Sequence, residues 1–455
     1  MIRSASNFTG TVVSRGGEDV HPRSRKEIKA CVSLARDKGL AVRVVGNGLS
    51  FNGIAQQDDA MRVHLTTHMN RIRRVHEEGV VVQTGITLFA LCESLARHGR
   101  ALRNIPHFGG MTLGGALATG IHGTSGVEGC DTLSSSIVSI DMINGHAKRV
   151  TLPASESITL GMLGVVYQVT LRTVPLFDVW QRAARIIISN VVSMQAIASA
   201  DLATHDWVMY KYLCGSGARA DTCVRETFDR VEKYSPDLVS SLVNSAQTVL
   251  DDVKTWCKYF FPATPAATQV PWRNNLYVWV CERQHRAEYF RAMMGPQVIS
   301  PHAELEWCVP MRHLDRVLAE IDAFVDASSS SDFYRQPIEC HLRFSPPDTT
   351  LGHCAFGEGK REWFAWVNLN VRQHLDQATH GRAWEPIEAI LMRYDARVHW
   401  SKCWSSSPAL MHHVLLQQAP FLAHLSRLSA RHDPHRLFCS NTFARQLGMA
   451  TVCLS

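Results

Sequence analysis

Pro106-His107-Phe108-Gly109-Gly110-Met111-Thr112-Leu113-Gly114-Gly115-Ala116-Leu117-Ala118-Thr119-Gly120-Ile121-His122-Gly123-Thr124-Ser125-Gly126 is long, made of small residues and almost uncharged. Gly and Ala let a backbone approach a flat ligand, while Thr112, Thr119, Thr124 and the main-chain amides offer hydrogen bonds. Some of these glycines equally suit close packing of a helix on a sheet. A shorter run lies upstream, Val44-Val45-Gly46-Asn47-Gly48-Leu49-Ser50-Phe51-Asn52-Gly53. A strand entering closely spaced glycines lets successive N–H groups converge on an anion, with phosphate the natural guest, although a tight surface turn has the same composition. Phe51 stands where a nicotinamide fingerprint needs its third glycine, and no Gly-Lys-Ser/Thr of a nucleotide P-loop follows. Together the two runs can line one extended dinucleotide.

Around them, residues 22–175 alternate short strands and helices. Ser24 and Glu27 form a capping box, Ile28, Cys31, Val32 and Ala35 follow at helical spacing, and Gly39 closes the helix before the extended run Ala41–Val45. The pattern recurs with Val80–Gln83 as a strand, Thr87 as an N-cap, Leu88, Leu91, Cys92 and Leu95 as a buried helix face, and Gly99 as the stop. Ser136–Ile143 and Ala147–Leu152 read as strands joined through Asn144-Gly145, a pair preferred in type I′ hairpins, and Val165–Val174 is a strand ended by Pro175. Residues 176–385 mix strands, Leu276–Val280 and Phe364–Leu369, with the amphipathic helix Met311–Phe324. Residues 386–455 read as helical with polar breaks.

The 455 residues, 45% hydrophobic and 19% charged, suffice for a large core in two or three domains. No apolar run approaches the roughly 20 residues of a membrane-spanning helix. The N-terminus lacks the basic and apolar regions of a secretory signal, so an intracellular, cytoplasmic home is expected, with a peroxisome-like organelle or membrane association left open. Thirteen scattered cysteines without a Cys-x-x-Cys pair point to reduced thiols. A net charge of +6 without basic blocks gives no nucleic-acid footprint. The pairs His64 and His68, His412 and His413, and His432 and His435 match no established ligand pattern, so no metal is expected. A serine hydrolase is excluded for want of Gly-x-Ser-x-Gly.

Three motifs in order, Gly46-Asn47-Gly48-Leu49-Ser50-Phe51-Asn52, then Gly114 to Thr124, then Leu163-Gly164-Val165-Val166-Tyr167-Gln168-Val169-Thr170-Leu171, closely resemble the aldonolactone oxidoreductases of the vanillyl-alcohol-oxidase class. That family includes the arabinono-, gulono- and galactono-1,4-lactone oxidases and dehydrogenases and serves ascorbate-like biosynthesis. His399-Trp400-Ser401-Lys402 resembles its His-Trp-Gly/Ala-Lys signature, and Asp433-Pro434-His435-Arg436-Leu437-Phe438 its closing Asp-Pro-x-x-x-Phe element. The resemblance implies an α+β protein. A two-part FAD-binding domain of the PCMH type spans residues 1–175, an α+β substrate (cap) domain spans 176–385, and 386–455 return to the flavin site. It places FAD against Gly46, Asn47, Gly48, Leu49, Ser50, Phe51, Thr112, Gly114, Gly115, Thr119, Gly120, His122, Gly123, Thr124, Val165, Val166 and His399.

Two departures stand out. Many members carry Gly-His-Ser, with that His bonded to the flavin, where this chain has Gly48-Leu49-Ser50; leucine has no nucleophilic nitrogen, so FAD is expected without a covalent link. The family's Glu-x-Arg reads Glu339-Cys340-His341-Leu342-Arg343-Phe344 here, placing His341 in the usual Glu position. In a strand, 339, 341 and 343 point to one face and can share a pocket wall, or form a solvent-facing polar stripe. The implied chemistry is hydride transfer from a lactone carbinol to flavin N5, with O2 or another redox acceptor. Arg343 holds the carbonyl or developing oxyanion, Glu339 or His341 takes the proton, and Lys402 sits near flavin N1. An alditol or polyol oxidase, or a catalytically inactive flavin-fold protein, is the alternative.

Overall fold

The Ser24 hydroxyl accepts from the Glu27 N–H at 3.2 Å and starts the helix Arg25–Asp37 (α1). The Glu27 carboxylate reaches back to the N–H of Arg23, one residue earlier than a capping box requires. Gly39, at φ +64°, ends the turn in the left-handed region that a Cβ disfavours. Glu18–Val20 (β1), Val42–Val45 (β2) and Met61–His64 (β3) form a parallel sheet in the order β1-β3-β2. α1 buries Ile28 and Val32 in one core with Val42, Val63, Ile143 and Val165. The computed structural model describes residues 4–77, 79–126, 132–186, 188, 193–215, 219, 221–233, 249–250, 253, 271–294, 302–328, 330–334, 336–357, 362–371 and 377–449.

An antiparallel sheet follows, of Ile72–Val75 (β4), Gly79–Gln83 (β5), Ile137–Asn144 (β6), Arg149–Pro153 (β7) and Gly164–Arg172 (β8), in the order β7-β6-β8-β5-β4. The β6–β7 connection departs from the expected type I′ turn. Asn144 Oδ1 accepts from the N–H groups of His146 and Lys148, and Ala147, not Gly145, takes the positive φ. The result is a three-residue loop closed by a left-handed residue, shaped by the Asn side chain.

Thr87 caps Leu88–Arg97 (α2), and Thr112 caps Leu113–Ala118 (α3). The middle of the long glycine run is therefore a short helix rather than a loop. Its amides at Leu113 and Gly114 bond Ile86 O and Thr84 O, and a Cβ on Gly114 would lie 3.1 Å from that of Thr84.

The remainder is built on an eight-stranded sheet. Its strands are Asp178–Arg185 (β9), Trp207–Leu213 (β10), Val224–Val231 (β11), Arg283–Glu288 (β12), Ala303–Pro310 (β13), Glu339–Ser345 (β14), Phe364–Val371 (β15) and Arg397–Val398 (β16). Their order is β12-β9-β11-β10-β14-β15-β13-β16, antiparallel at every pairing, with the last strand lying beyond residue 385. Leu276–Val280, expected as a strand, lies in the helix Pro271–Cys281. Tyr277, Val278 and Cys281 fall on one helical face and pack on Ala183, Leu213 and Val224, so tertiary contact overrides a β-prone local composition. Among the described residues, no helix is long and apolar enough to cross a membrane.

The chain's end returns to its beginning. Val42 N–H bonds Leu437 O, Asn441 bonds Ile54 O, and Asp433 accepts from the N–H groups of Leu437 and Phe438 at 2.9 and 2.8 Å. Arg43 joins these pieces, its buried guanidinium donating to the carbonyls of Ile54, Leu160, Gly161 and Phe438. Burial pulls its pKa down to about 10, which still leaves it charged at neutral pH. Arg43→Met strips the donors from these buried carbonyls, each costing about 1–3 kcal/mol. We expect a loss of at least about 3 kcal/mol in urea unfolding, whereas Arg36→Met, at an exposed surface pair, should change little.

Candidate active site

The face of the large sheet that carries the predicted strand is polar and enclosed. Register sets it out in rows: Lys211 of β10, His341 of β14, Asn368 of β15 and Glu306 of β13 lie opposite one another in turn. One row on, Glu339 faces Asn370, which faces Glu304. Alternation along each strand keeps all of them on one side, so Glu339, His341 and Arg343 share a wall as their spacing predicts.

Glu306 is the meeting point. It is fully buried; Arg343 donates to its Oε1, His122 Nε2 stands 3.3 Å from the same oxygen, and Lys402 Nζ is 3.7 Å from Oε2. Burial pushes the Glu306 carboxyl up, but Arg343, then His122 and Lys402, hold it well below the usual range. Glu304 is likewise raised by burial and overruled by Lys402, whose Nζ it meets at 2.5 Å. Asn368 donates to Glu304 and accepts from Asn370 at 2.6 Å. His341 Nε2 lies 3.0 Å from Glu339 Oε1, which also accepts from the Tyr277 hydroxyl at 2.9 Å.

Histidines complete the enclosure. His122 stacks on Trp366, ring centroids 3.5 Å apart, and burial lowers its pKa to about 4 against the pull of Glu306. Burial also holds His399 well below its ordinary value, so it is neutral. Its Nδ1 accepts from the Ser401 N–H at 3.2 Å, which assigns the proton to Nε2. That Nε2, the Arg343 Nε, the His122 Nε2 and the Glu306 Oε2 are buried and make no hydrogen bond within the protein. The two unmet donors among them, His399 Nε2 and Arg343 Nε, call for a ligand with acceptors along an edge.

The glycine runs meet this cluster. Gly46 packs so closely on Thr112 that a Cβ would lie 2.3 Å from its hydroxyl, and Asn47 Nδ2 bonds Gly110 O at 2.7 Å. Phe51 N–H bonds Ser401 O, and Asn52 bonds the carbonyls of Trp400 and Lys402, strapping the first run to the segment that carries Lys402. Lys402 Nζ stands 5.2 Å from the Phe51 ring centre. Gly48 adopts φ +68°, where a Cβ would make only ordinary contacts with Ser6 and Asn7, and Leu49 and Ser50 beside it are half-buried. Gly115 also borders Thr112, and Gly120, at φ +65°, abuts Ile158 and His353.

Some of the residues expected at the cofactor also make contacts within the protein. Gly123 has no room for a Cβ beside Asn104 and Ile105, and the Thr124 hydroxyl donates to Val208 O while accepting from Phe344 N–H. Thr119 bonds Gly115 O within its own turn. Val165 is buried in the α1 core, and Val166 offers its carbonyl to Thr84. Conversely, Glu304, Glu306, Asn368, Lys211 and Glu226 were not expected at the site. Their signal lies in Ala303-Glu304-Leu305-Glu306-Trp307, where two carboxylates alternate with apolar residues in a strand.

His122, Glu306 and His399 bring their ligand atoms within 4.8 Å of one another, the metal-type grouping found among the described residues. None of the histidine pairs visible in sequence takes part. Arg343 and Lys402 already face the one carboxylate, so a divalent cation there would sit among like charges.

The family model described as FAD binding domain matches residues 19–152, and that described as D-arabinono-1,4-lactone oxidase matches residues 169–447. The chain is 26% identical to L-gulono-1,4-lactone dehydrogenase of Mycobacterium tuberculosis, over 97% of this chain and 99% of that protein. It is 26% identical to L-gulonolactone oxidase of Scyliorhinus torazame, over 84% and 85%, and 30% identical to D-arabinono-1,4-lactone oxidase of Eremothecium gossypii, over 38% and 34%. Among solved structures, cholesterol oxidase of Brevibacterium sterolicum superposes with a TM-score of 0.74 at 12% identity, covering 98% of this chain and 97% of that one. That likeness establishes the shared α+β fold.

Glu306→Gln leaves the Arg343 guanidinium buried without a carboxylate. Breaking such a pair costs about 3–5 kcal/mol, and we expect urea unfolding of this variant to show a loss in that range. Glu304→Gln, which keeps the Arg343 contact, should lose clearly less.

Proposed function

Because the chain belongs to the D-arabinono-1,4-lactone oxidase family, with an FAD-binding region ahead of the family's own, we propose that residues 1–175 hold FAD and that the large sheet presents a sugar-derived aldono-1,4-lactone to it. The protein is an FAD-dependent oxidoreductase acting on a CH–OH donor. The observation that carries this reading is the convergence of Arg343, Lys402 and the Glu339–His341 pair on one enclosed sheet face, beside the meeting point of the two glycine runs.

FAD suits the residues present. The buried N–H groups of His399 and Arg343, unmatched within the protein, complement a ring system edged with carbonyl and nitrogen acceptors. Gly46 to Phe51, Thr112, Gly114, Gly115 and His122 are the positions that would hold it, and Leu49 supplies no atom for a covalent bond. When bound, the flavin supplies a hydride acceptor.

The protein's own groups do the rest. Arg343, oriented by Glu306, presents its remaining donors to the lactone carbonyl. His341 takes the proton of the carbinol hydroxyl, and Glu339 at 3.0 Å stabilises the imidazolium that forms. The Tyr277 hydroxyl donates to the same oxygen and holds the Glu339 carboxylate in place. Lys402, fixed by Glu304 and by the strap from Asn52, supplies positive charge where the cofactor gains electrons. Dioxygen is the acceptor we favour.

Anaerobic addition of a five- or six-carbon aldono-1,4-lactone to the purified yellow protein should bleach its absorbance near 450 nm, and admitting air should restore it. Precipitation with acid should release the chromophore into the supernatant. A protein that stays yellow under every aldonolactone refutes the substrate, and colour retained in the pellet refutes non-covalent attachment.

Lys402→Met should lower the limiting rate of flavin reduction by at least about tenfold while changing lactone affinity much less, since it acts on charge that develops during reaction. Stopped-flow traces across lactone concentration separate the two quantities.

A further inference from the structure

Lys211 lies opposite His341 in the neighbouring strand, and its ammonium meets Glu226 of β11 at 2.6 Å. Gln181 of β9 donates to the other oxygen of Glu226 at 2.5 Å, so both oxygens are engaged and the carboxylate cannot turn away. His107, at the start of the long glycine run, faces Lys211, Glu226, Arg343 and His341 together. Burial, then the nearby Lys211 charge, holds that imidazole well below its ordinary range, so it is neutral. Burial pushes the Glu226 carboxyl up, but the Lys211 ammonium overrides it and brings it to about 2, so Glu226 is ionised at neutral pH.

An ammonium has three N–H donors, and among the described residues Glu226 is the one side chain that Lys211 bonds. The Lys211 side chain is 13% exposed beside a His341 side chain 20% exposed, so its remaining donors are accessible from the same sheet face. Opposed side chains on adjacent strands stand about 4.5–5.5 Å apart, roughly the distance from a lactone's ring carbinol to its exocyclic carbons. Each cation on this face also has its own carboxylate: Arg343 with Glu306, Lys402 with Glu304, Lys211 with Glu226. A face whose three cations are each already paired, with Glu339 a further carboxylate, favours a neutral polyhydroxylated ligand over a sugar acid or sugar phosphate, which would have to displace a carboxylate.

We propose that Lys211 is a specificity-determining residue that donates hydrogen bonds to the exocyclic hydroxyls of the lactone, with Glu226 and Gln181 as positioning residues that fix it. This rests on the lactone reading above and names the end of the substrate that is read. Arg343 and His341 address the carbonyl and ring carbinol, and Lys211 addresses the tail.

The test compares L-gulono-1,4-lactone with α-hydroxy-γ-butyrolactone, which keeps the carbinol beside the carbonyl but has no exocyclic hydroxyl. Anaerobic stopped-flow reduction of the FAD-loaded protein gives a dissociation constant and a limiting rate for each. The wild type should bind the gulonolactone more tightly, and Lys211→Met should reduce that preference about tenfold, in the ratio of dissociation constants rather than of limiting rates. Lys211→Arg should restore much of it, and Glu226→Gln should fall between. A Lys211→Met protein whose preference equals the wild type's overturns the proposal, whether both affinities move together or neither moves, as does a wild type with no preference. Should neither lactone reduce the wild-type flavin, the lactone reading itself fails, which the same experiment distinguishes from a failure of Lys211 alone.

Discussion

A single buried carboxylate, Glu306, sets the terms on which the site can exist. It sits in a strand whose neighbours Leu305, Trp307, Cys308 and Val309 are apolar and buried, so no water solvates it. Left alone it would have to take up a proton, because an isolated buried charge costs several kcal/mol. Arg343, Lys402 and His122 arrive from three distant stretches of chain to prevent that. Their convergence is required by electrostatics, and the orientation of Arg343 and Lys402 follows from it. The guanidinium and ammonium are held by the carboxylate, not by one another, and each keeps a donor free for a ligand.

The two ends of the chain are joined by different physics. At the seam between Arg43 and residues 437–441 the buried cation has no carboxylate partner among the described residues; its two terminal nitrogens donate to carbonyls, and its Nε makes no hydrogen bond. The dipoles of four peptide groups spread its charge, and the arrangement has no group positioned for proton transfer. At the Glu306 seam, charges of both signs lie within hydrogen-bonding distance and donors remain unmatched. The first seam ties the chain's ends together around one cation; the second gathers charges of both signs with unmatched atoms on each, and those are what a cofactor and substrate can fill.

Much of this was legible in the sequence where chemistry and local geometry coincide. The caps Ser24, Thr87 and Thr112 sit where a side-chain oxygen must meet an orphan amide, and the strand containing Glu339, His341 and Arg343 turns these residues to one face through its two-residue period. The order of the glycine runs and the His399–Lys402 segment carried the family likeness. Less legible was anything decided by partners far away. Leu276–Val280 reads as a strand until Ala183 and Val224 offer it a helical docking face. Gly123 and Thr124 read in sequence as loop residues facing a ligand, and their contacts with Asn104, Val208 and Phe344 could not be read there. Glu306 itself is invisible as a site residue because its three partners lie some 35 to 185 positions away, and only the oddity of a carboxylate in an apolar strand marks it.

The replacement of the family's glutamate by His341 has a geometric answer rather than a purely chemical one. A strand advances about 3.3 Å per residue, so moving a carboxylate from 341 to 339 keeps it on the same face but withdraws it by about 6.6 Å. From there it cannot reach the point that a glutamate at 341 would reach. An imidazole at 341 spans part of that gap and contacts the displaced carboxylate at 3.0 Å, so the negative charge is delivered through a ring that can itself carry a proton. The pair places an acceptor beside Arg343 and depends on Tyr277, whose hydroxyl anchors the carboxylate in a position that strand geometry alone leaves slack.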